Sequence, residues 1–343
     1  MGATTRTITV RDLADGAADT PLFDADGALS EPVLVVDLDD ADLASVAAAV
    51  ERVPARDRIL VGICSGPIPE TLAAALDVSY GAASSPHVIA DGLAEFLAGV
   101  DNNPHASLLA AQVVRISEHL PISEALDVES LAYSTLQGGP EFRRWLDARR
   151  TMNRPLPPPV ADPVLVDREG DTLRITLNRP ERRNAFGTAL RDALVEALRL
   201  PLLDPSITNV VLDGAGASFC AGGDLDEFGF APDTVTAHLI RTRAGAGRLI
   251  AQLADRTEVR LHGHCVGAGI EIPAFAGHLA ADPATVFRLP EVSMGLIPGA
   301  GGTVSIPRRI GRWRALHLFV TGTALDAETA LAWGLIDVVA GTR

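Results

Sequence analysis

The chain has 343 residues and no lysine; all 29 of its basic residues are arginine. That absence excludes a Schiff-base lysine and a phosphate-loop lysine. Phosphate recognition would fall to arginine forks, backbone N–H groups or helix N-termini. Aromatic residues are scarce at 4%, so a core must be built mainly from Ala, Leu, Val and Ile. Three cysteines, Cys64, Cys220 and Cys265, are widely spaced and odd in number. They make no disulfide framework and predict a reducing, cytoplasmic setting. The sequence shows no apolar run of about 18 residues and no cationic leader with an apolar stretch behind it, so no membrane association is expected.

What is present is ordinary for a globular protein: 47% hydrophobic and 21% charged residues, with length enough for two domains. A formal net charge of −15 argues against a nucleic-acid binder, because phosphate backbones reward basic faces. A local arginine cluster could still hold a small anion.

Along the chain, 32–38 reads as a buried strand, 41–53 as an Ala-rich helix and 58–64 as a second strand. From Leu93 to Arg150 the pattern is helical, punctuated by Pro104, Pro121 and Pro140. Five prolines between Met152 and Pro163 predict an extended linker. The expected organisation is an N-terminal domain over 1–151, a linker over 152–163 and a second domain over 164–343. In the second domain a hairpin strand at 172–177, a helix around Leu190, Leu194 and Leu198, a strand at 210–212, a helix over about 233–254 and a strand at 259–261 alternate with Gly-rich turns. The class is α/β.

Six fragments of this second part, in order, carry the chemistry. They are Leu177–Phe186 (LNRPERRNAF), Ser218–Leu225 (SFCAGGDL), Gly263–Glu271 (GHCVGAGIE), Phe287–Glu291 (FRLPE), Gly295–Thr303 (GLIPGAGGT) and Gly311-Arg312. Single Gly-rich turns are common, but this ordered set resembles the crotonase (enoyl-CoA hydratase/isomerase) superfamily. The resemblance implies a ββα spiral that processes coenzyme A thioesters. The thioester enolate would be held by two backbone N–H groups, those of Gly223 and Ala268, where small residues admit close approach. Glu271 and Glu291 would be the acid/base pair, and having both tilts the reading toward hydration of a 2-enoyl-CoA. CoA contacts carry over to Arg182, Arg183, Ala185, Ala221 and Asp224, although Asp224 by itself reads as a loop cap. No cofactor beyond the substrate's own CoA and no metal are implied. His262, His264 and Cys265 have no complementary ligand pair and read as packing residues.

The sequence departs from the superfamily pattern in two places. Several C-terminal helices usually follow the segment equivalent to Gly334–Val339, and residues 104–150 look like that missing part placed first. The N-terminal domain therefore reads as a degenerate crotonase-like half, against the alternative of an unrelated helical dimerisation domain. In addition, Glu258–Leu261 (EVRL) replaces an apolar, proline-containing strand. The family implies a homo-oligomer, a trimer or a multiple of it. Three other activities stay open: an enoyl-CoA isomerase, a cofactor-independent arylacetyl-CoA dioxygenase, and a CoA-ester-binding subunit without catalysis.

Overall fold

The computed structural model describes residues 5–39, 41–150 and 161–340. The first sheet has five parallel strands in sequential order: β1 (Thr7–Thr9), β2 (Val33–Asp37), β3 (Ile59–Cys64), β4 (Val78–Gly81) and β5 (Val88–Ile89). The Val-Leu-Val-Val run of β2 is buried throughout, as a parallel strand covered on both faces requires. One face packs on Val46, Ala49 and Leu72 of two crossover helices and on Leu76 just past the second. The other joins a core continuous with the rest of the molecule.

Four helices follow, at Leu93–Asn102, Pro104–Ser117, Ile122–Gln137 and Pro140–Arg150. The expected prolines mark the breaks: Pro104 and Pro140 open helices and Pro121 caps one. Of the proline-rich stretch, 151–160 lies outside the described residues.

The second part builds a six-stranded sheet and a three-stranded one. The larger runs β14-β11-β9-β8-β7-β6, where β6 is Val164–Glu169, β7 Thr172–Leu177, β8 Asn209–Gly214, β9 Thr257–Leu261, β11 His278–Ala281 and β14 Val338–Val339. Only the β6–β7 hairpin is antiparallel. The smaller sheet is β10 (His264–Val266), β12 (Val286–Arg288) and β13 (Leu325–Asp326). The pairs β9/β10 and β11/β12 thus send one strand to each sheet, giving the chain its spiral course.

The helix expected over 233–254 is broken. It forms Thr234–Arg243 and Ala246–Gln252, with Gly245 in extended backbone (φ −80°, ψ 121°) between them. The Ala-Gly-Ala-Gly sequence lacks the side-chain contacts to hold helix there.

The two parts share one hydrophobic core, in which Val61 and Phe96 belong with Ile175 and Phe319. Polar ties reinforce the junction: Arg312 Nη1 donates to Leu76 O at 2.8 Å, and Tyr80 Oη meets His317 Nδ1 at 2.8 Å. The Ile122–Gln137 helix lies against the Thr234–Arg243 helix of the second part. Among the described residues no helix is long and apolar enough to cross a membrane.

Candidate active site

A cavity of about 670 Å³ opens where these helices meet the Gly-rich loops. Its floor is made by two loops tied edge to edge. Cys220 N donates to His264 O at 3.3 Å and Val266 N to Cys220 O at 3.0 Å. Buried Asn184 props the first loop, donating to the carbonyls of Ala215, Ser218 and Phe219 while its own oxygen accepts from Arg179 N at 2.7 Å. Phe186 then exchanges bonds with the Gly222–Asp224 segment, its N–H to Gly222 O and its carbonyl accepting from Asp224 N. Gly222, at φ 97°, and Gly267, at φ 49° and ψ −122°, occupy backbone conformations that side chains disfavour.

Past each of these glycines stands an amide without an acceptor. Neither Gly223 N–H nor Ala268 N–H donates to any group among the described residues, and both residues line the cavity. Ala268 is the first residue of the turn that carries Glu271. These are the two donors the sequence singles out, and they sit in one cavity with free N–H groups.

Glu271 and Glu291 are brought together there. Both are buried, at 2% and 8% exposure. A methyl placed on Gly267 would lie 2.4 Å from Glu291 Oε1 and 3.6 Å from Glu271 Oε1, so both oxygens face one small space. The two differ in support. Glu271 Oε2 accepts Ala300 N–H at 2.7 Å and Gly302 N–H at 2.9 Å. Glu291 Oε2 is buried with no partner. Burial pushes Glu271 up to about 7, with the two amides opposing it. Burial and then the Glu271 charge push Glu291 well above the usual carboxylate range. The two amides make Glu271 the readier of the pair to ionise, and Glu291, unpartnered and beside that charge, the readier to hold a proton.

A third carboxylate reaches the same place from the Ile122–Gln137 helix. Glu129 is 2% exposed and lines the cavity. Its Oε1 accepts Gly301 N–H at 2.8 Å; its Oε2 accepts Thr303 N–H at 2.9 Å and Thr303 Oγ1–H at 2.7 Å. Glu129 and Glu271 thus take alternate amides, 301 and 303 against 300 and 302, at the N-terminus of the Gly302–Ile310 helix, where orphan N–H groups favour anions. Burial, and then the nearby Glu271, raise Glu129 to about 8. Sequence reasoning grouped Glu129 with a tail-like segment but gave it no role. Tyr133, Gln137 and Arg241 also line the cavity and were not singled out; Phe228 and Phe230, which the sequence left unplaced, stand in its wall.

Of the expected CoA contacts, Ala221 and Asp224 line the cavity, whereas Arg182, Arg183 and Ala185 lie outside its lining. Asp224, 4% exposed, is bonded by Arg179 and Arg182, and Arg182 also reaches Asp226 at 2.7 Å. These charges organise the first loop. Arg183 is exposed, and its backbone carbonyl accepts Ala221 N–H at 2.9 Å. His262 bonds the Gly216 carbonyl at 3.0 Å and His264 is exposed.

A family model described as enoyl-CoA hydratase/isomerase matches residues 167–342. The chain is 33% identical over 176 residues to a 2,3-dehydroadipyl-CoA hydratase of Escherichia coli (strain K12), covering 51% of this chain and 68% of that protein. It is 35% identical over 178 residues to a 1,2-epoxyphenylacetyl-CoA isomerase of the same strain, covering 50% and 68%. Among solved structures, an enoyl-CoA hydratase from Thermoplasma volcanium GSS1 is 30% identical, with a TM-score of 0.49 over 52% of this chain and 72% of that one. With free amides, paired carboxylates and the family match all falling in its second part, the chain belongs to the enoyl-CoA hydratase/isomerase family, the crotonase superfamily.

Proposed function

We propose that this protein hydrates a 2-enoyl-CoA thioester, with Glu271 as general base and Glu291 as general acid. The observation that carries the reading is the convergence of two buried glutamate oxygens beside Gly267, in the cavity that holds the unpaired Gly223 and Ala268 amides. The thioester carbonyl oxygen would sit between those two N–H groups, which stabilise the charge that develops on it as the enolate forms.

Glu271, held by Ala300 and Gly302, takes a proton from water as the water oxygen adds to C3. The electron pair of the C2–C3 double bond moves onto the thioester as an enolate. Glu291 then delivers its proton to C2, and the proton on Glu271 passes back to the depleted Glu291 through solvent or the next water. An unpartnered Glu291 oxygen suits a group that must turn toward substrate. Desolvation raises both carboxyls and brings Glu271 to about 7, where acid/base transfer is most effective.

The test is loss of the conjugated-thioester absorbance of crotonyl-CoA in wild type and in Glu271→Gln. Removing a positioned general base should cost about 10²–10⁴-fold in kcat. Wild type that binds crotonyl-CoA and longer 2-enoyl-CoA thioesters without turning over any of them would refute the hydratase reading.

A further inference from the structure

The face that the Ile122–Gln137 helix turns to the cavity carries Leu126, Glu129, Ser130, Tyr133 and Gln137 at helical spacing. Four of those five are polar, and they form one wall of a cavity whose other walls carry Phe228, Phe230, Ile240, Ile272 and Met294. Glu129 spends its carboxylate on the Gly301 and Thr303 amides. The others engage Arg241 on the facing helix. Its Nε donates to Ser130 Oγ at 3.1 Å, Nη1 to Gln137 Oε1 at 3.2 Å, and Nη2 to Ser130 O at 3.3 Å and to Ser134 Oγ.

Counting donors and acceptors shows what is left over. One Nη1–H of Arg241 is unused. Gln137 has its oxygen committed to Arg241, which leaves its amide N–H groups. The Tyr133 hydroxyl has no hydrogen-bond partner among the described residues. Its ring is fixed against the Arg241 guanidinium, 4.5 Å from the centroid, and against Gly299, where an added methyl would lie 2.2 Å from Cδ2. Arg241 has no carboxylate within ion-pair distance among the described residues, and Glu129 is the carboxylate whose charge it feels. The unused groups are therefore donors and one cation. Their complement is a group that only accepts and carries negative charge.

We propose that this wall is a recognition subsite for an acyl chain ending in a carboxylate, so that the substrate class is the CoA monothioester of an unsaturated dicarboxylic acid. The proposal rests on reading the cavity as the enoyl-thioester site. Gly299–Gly301 joins the two regions, touching Tyr133 on one side and Glu271, through Ala300, on the other. The free carboxylate would accept from Tyr133, Gln137 and Arg241 together.

The test titrates the full-length protein calorimetrically with hexanoyl-CoA and with the CoA monothioester of hexanedioic acid. Both probes are saturated and carry the same CoA, so only the chain end differs. The acid-ended thioester should bind at least about tenfold tighter, as charge-assisted hydrogen bonds to one carboxylate imply. Gln137→Glu keeps an acceptor toward Arg241 but replaces the amide donors with negative charge, and should abolish the preference. Tyr133→Phe retains the ring and should reduce it several-fold. Equal affinities in wild type, or a preference that survives both variants, would overturn the subsite. Crotonyl-CoA turnover measured in parallel separates the two readings. Turnover without the preference removes only the subsite; the preference without turnover of either crotonyl-CoA or the 2-enoyl form of the acid-ended thioester removes only the hydratase.

Discussion

Replacing Glu129 with alanine removes the acceptor from three buried donors, Gly301 N–H, Thr303 N–H and Thr303 Oγ1–H. A buried donor left unpaired costs about 1–3 kcal/mol. Against that, the substitution relieves the desolvation of a carboxylate that sits beside Glu271. The net destabilisation should fall toward the low end of the sum, about 3 kcal/mol. The same turn presents Ala300 and Gly302 to Glu271 Oε2, so loosening it should also release the general base. Urea unfolding reads the first effect and the kcat of crotonyl-CoA hydration the second, where a drop of about tenfold or more is expected. Glu129→Gln keeps one acceptor oxygen and the side-chain shape. It should cost only about 1 kcal/mol and retain more of the activity than alanine does. An alanine variant within about 0.5 kcal/mol of wild type and with undiminished kcat would refute the idea that Glu129 holds the loop.

The remaining expectations are narrower. Glu129 titrates at about 8 when folded against 4.5 for an ordinary glutamate, so the folded state binds the extra proton. Its contribution to stability is complete below the unfolded value and is lost as pH rises through the folded one, at up to about 1.4 kcal/mol per pH unit. Denaturant melts between pH 4.5 and 8 should therefore show declining stability, with a shallower decline in Glu129→Gln. The pH profile of kcat/KM should rise through about 7 as Glu271 ionises, and fall at higher pH as Glu291 loses its proton. Gly267→Ala strains a φ of 49° and drives a methyl to 2.4 Å from Glu291 Oε1; hydration should drop at least about 10²-fold with the fold retained, as circular dichroism would check. Arg183→Ala, at an exposed position, should raise KM for CoA esters without changing the melting temperature if its guanidinium meets a CoA phosphate; an unchanged KM would remove Arg183 from that role.

Much of the fold could be read from local pattern. The Val-rich run of β2, the alternation of Leu173, Ile175 and Leu177 in β7, and the prolines between helices each act within a few residues. Gly245 broke a helix that periodicity ran together, because the succession Ala244-Gly245-Ala246-Gly247 offers little side chain to carry it across. Glu271, Glu291 and the two amides came from the resemblance of the six ordered fragments to the superfamily, and the structure places all four around one cavity. Glu129 was not legible in that way. A glutamate on an amphipathic helix looks solvated until its partners are known, and these lie 172 and 174 residues away. Tyr133 and Gln137 were hidden for the same reason. Arg182 sits in a charge run that could equally meet solvent, CoA or protein, and only the fold brings it to Asp224 and Asp226. Residues 104–150 resembled, in sequence, the C-terminal helices of the superfamily placed first, and in the structure the Ile122–Gln137 helix walls the cavity.

The central claim is that Glu271 and Glu291 act on one water and one substrate as a single unit. The measurement that tests it most directly is crotonyl-CoA hydration by Glu271→Gln, Glu291→Gln and the double variant. Residues acting as a unit are strongly non-additive, so each single variant should lose about 10²–10⁴-fold and the double little more than the worse single. Near-wild-type turnover in either single variant, or losses that simply multiply in the double, would contradict the account.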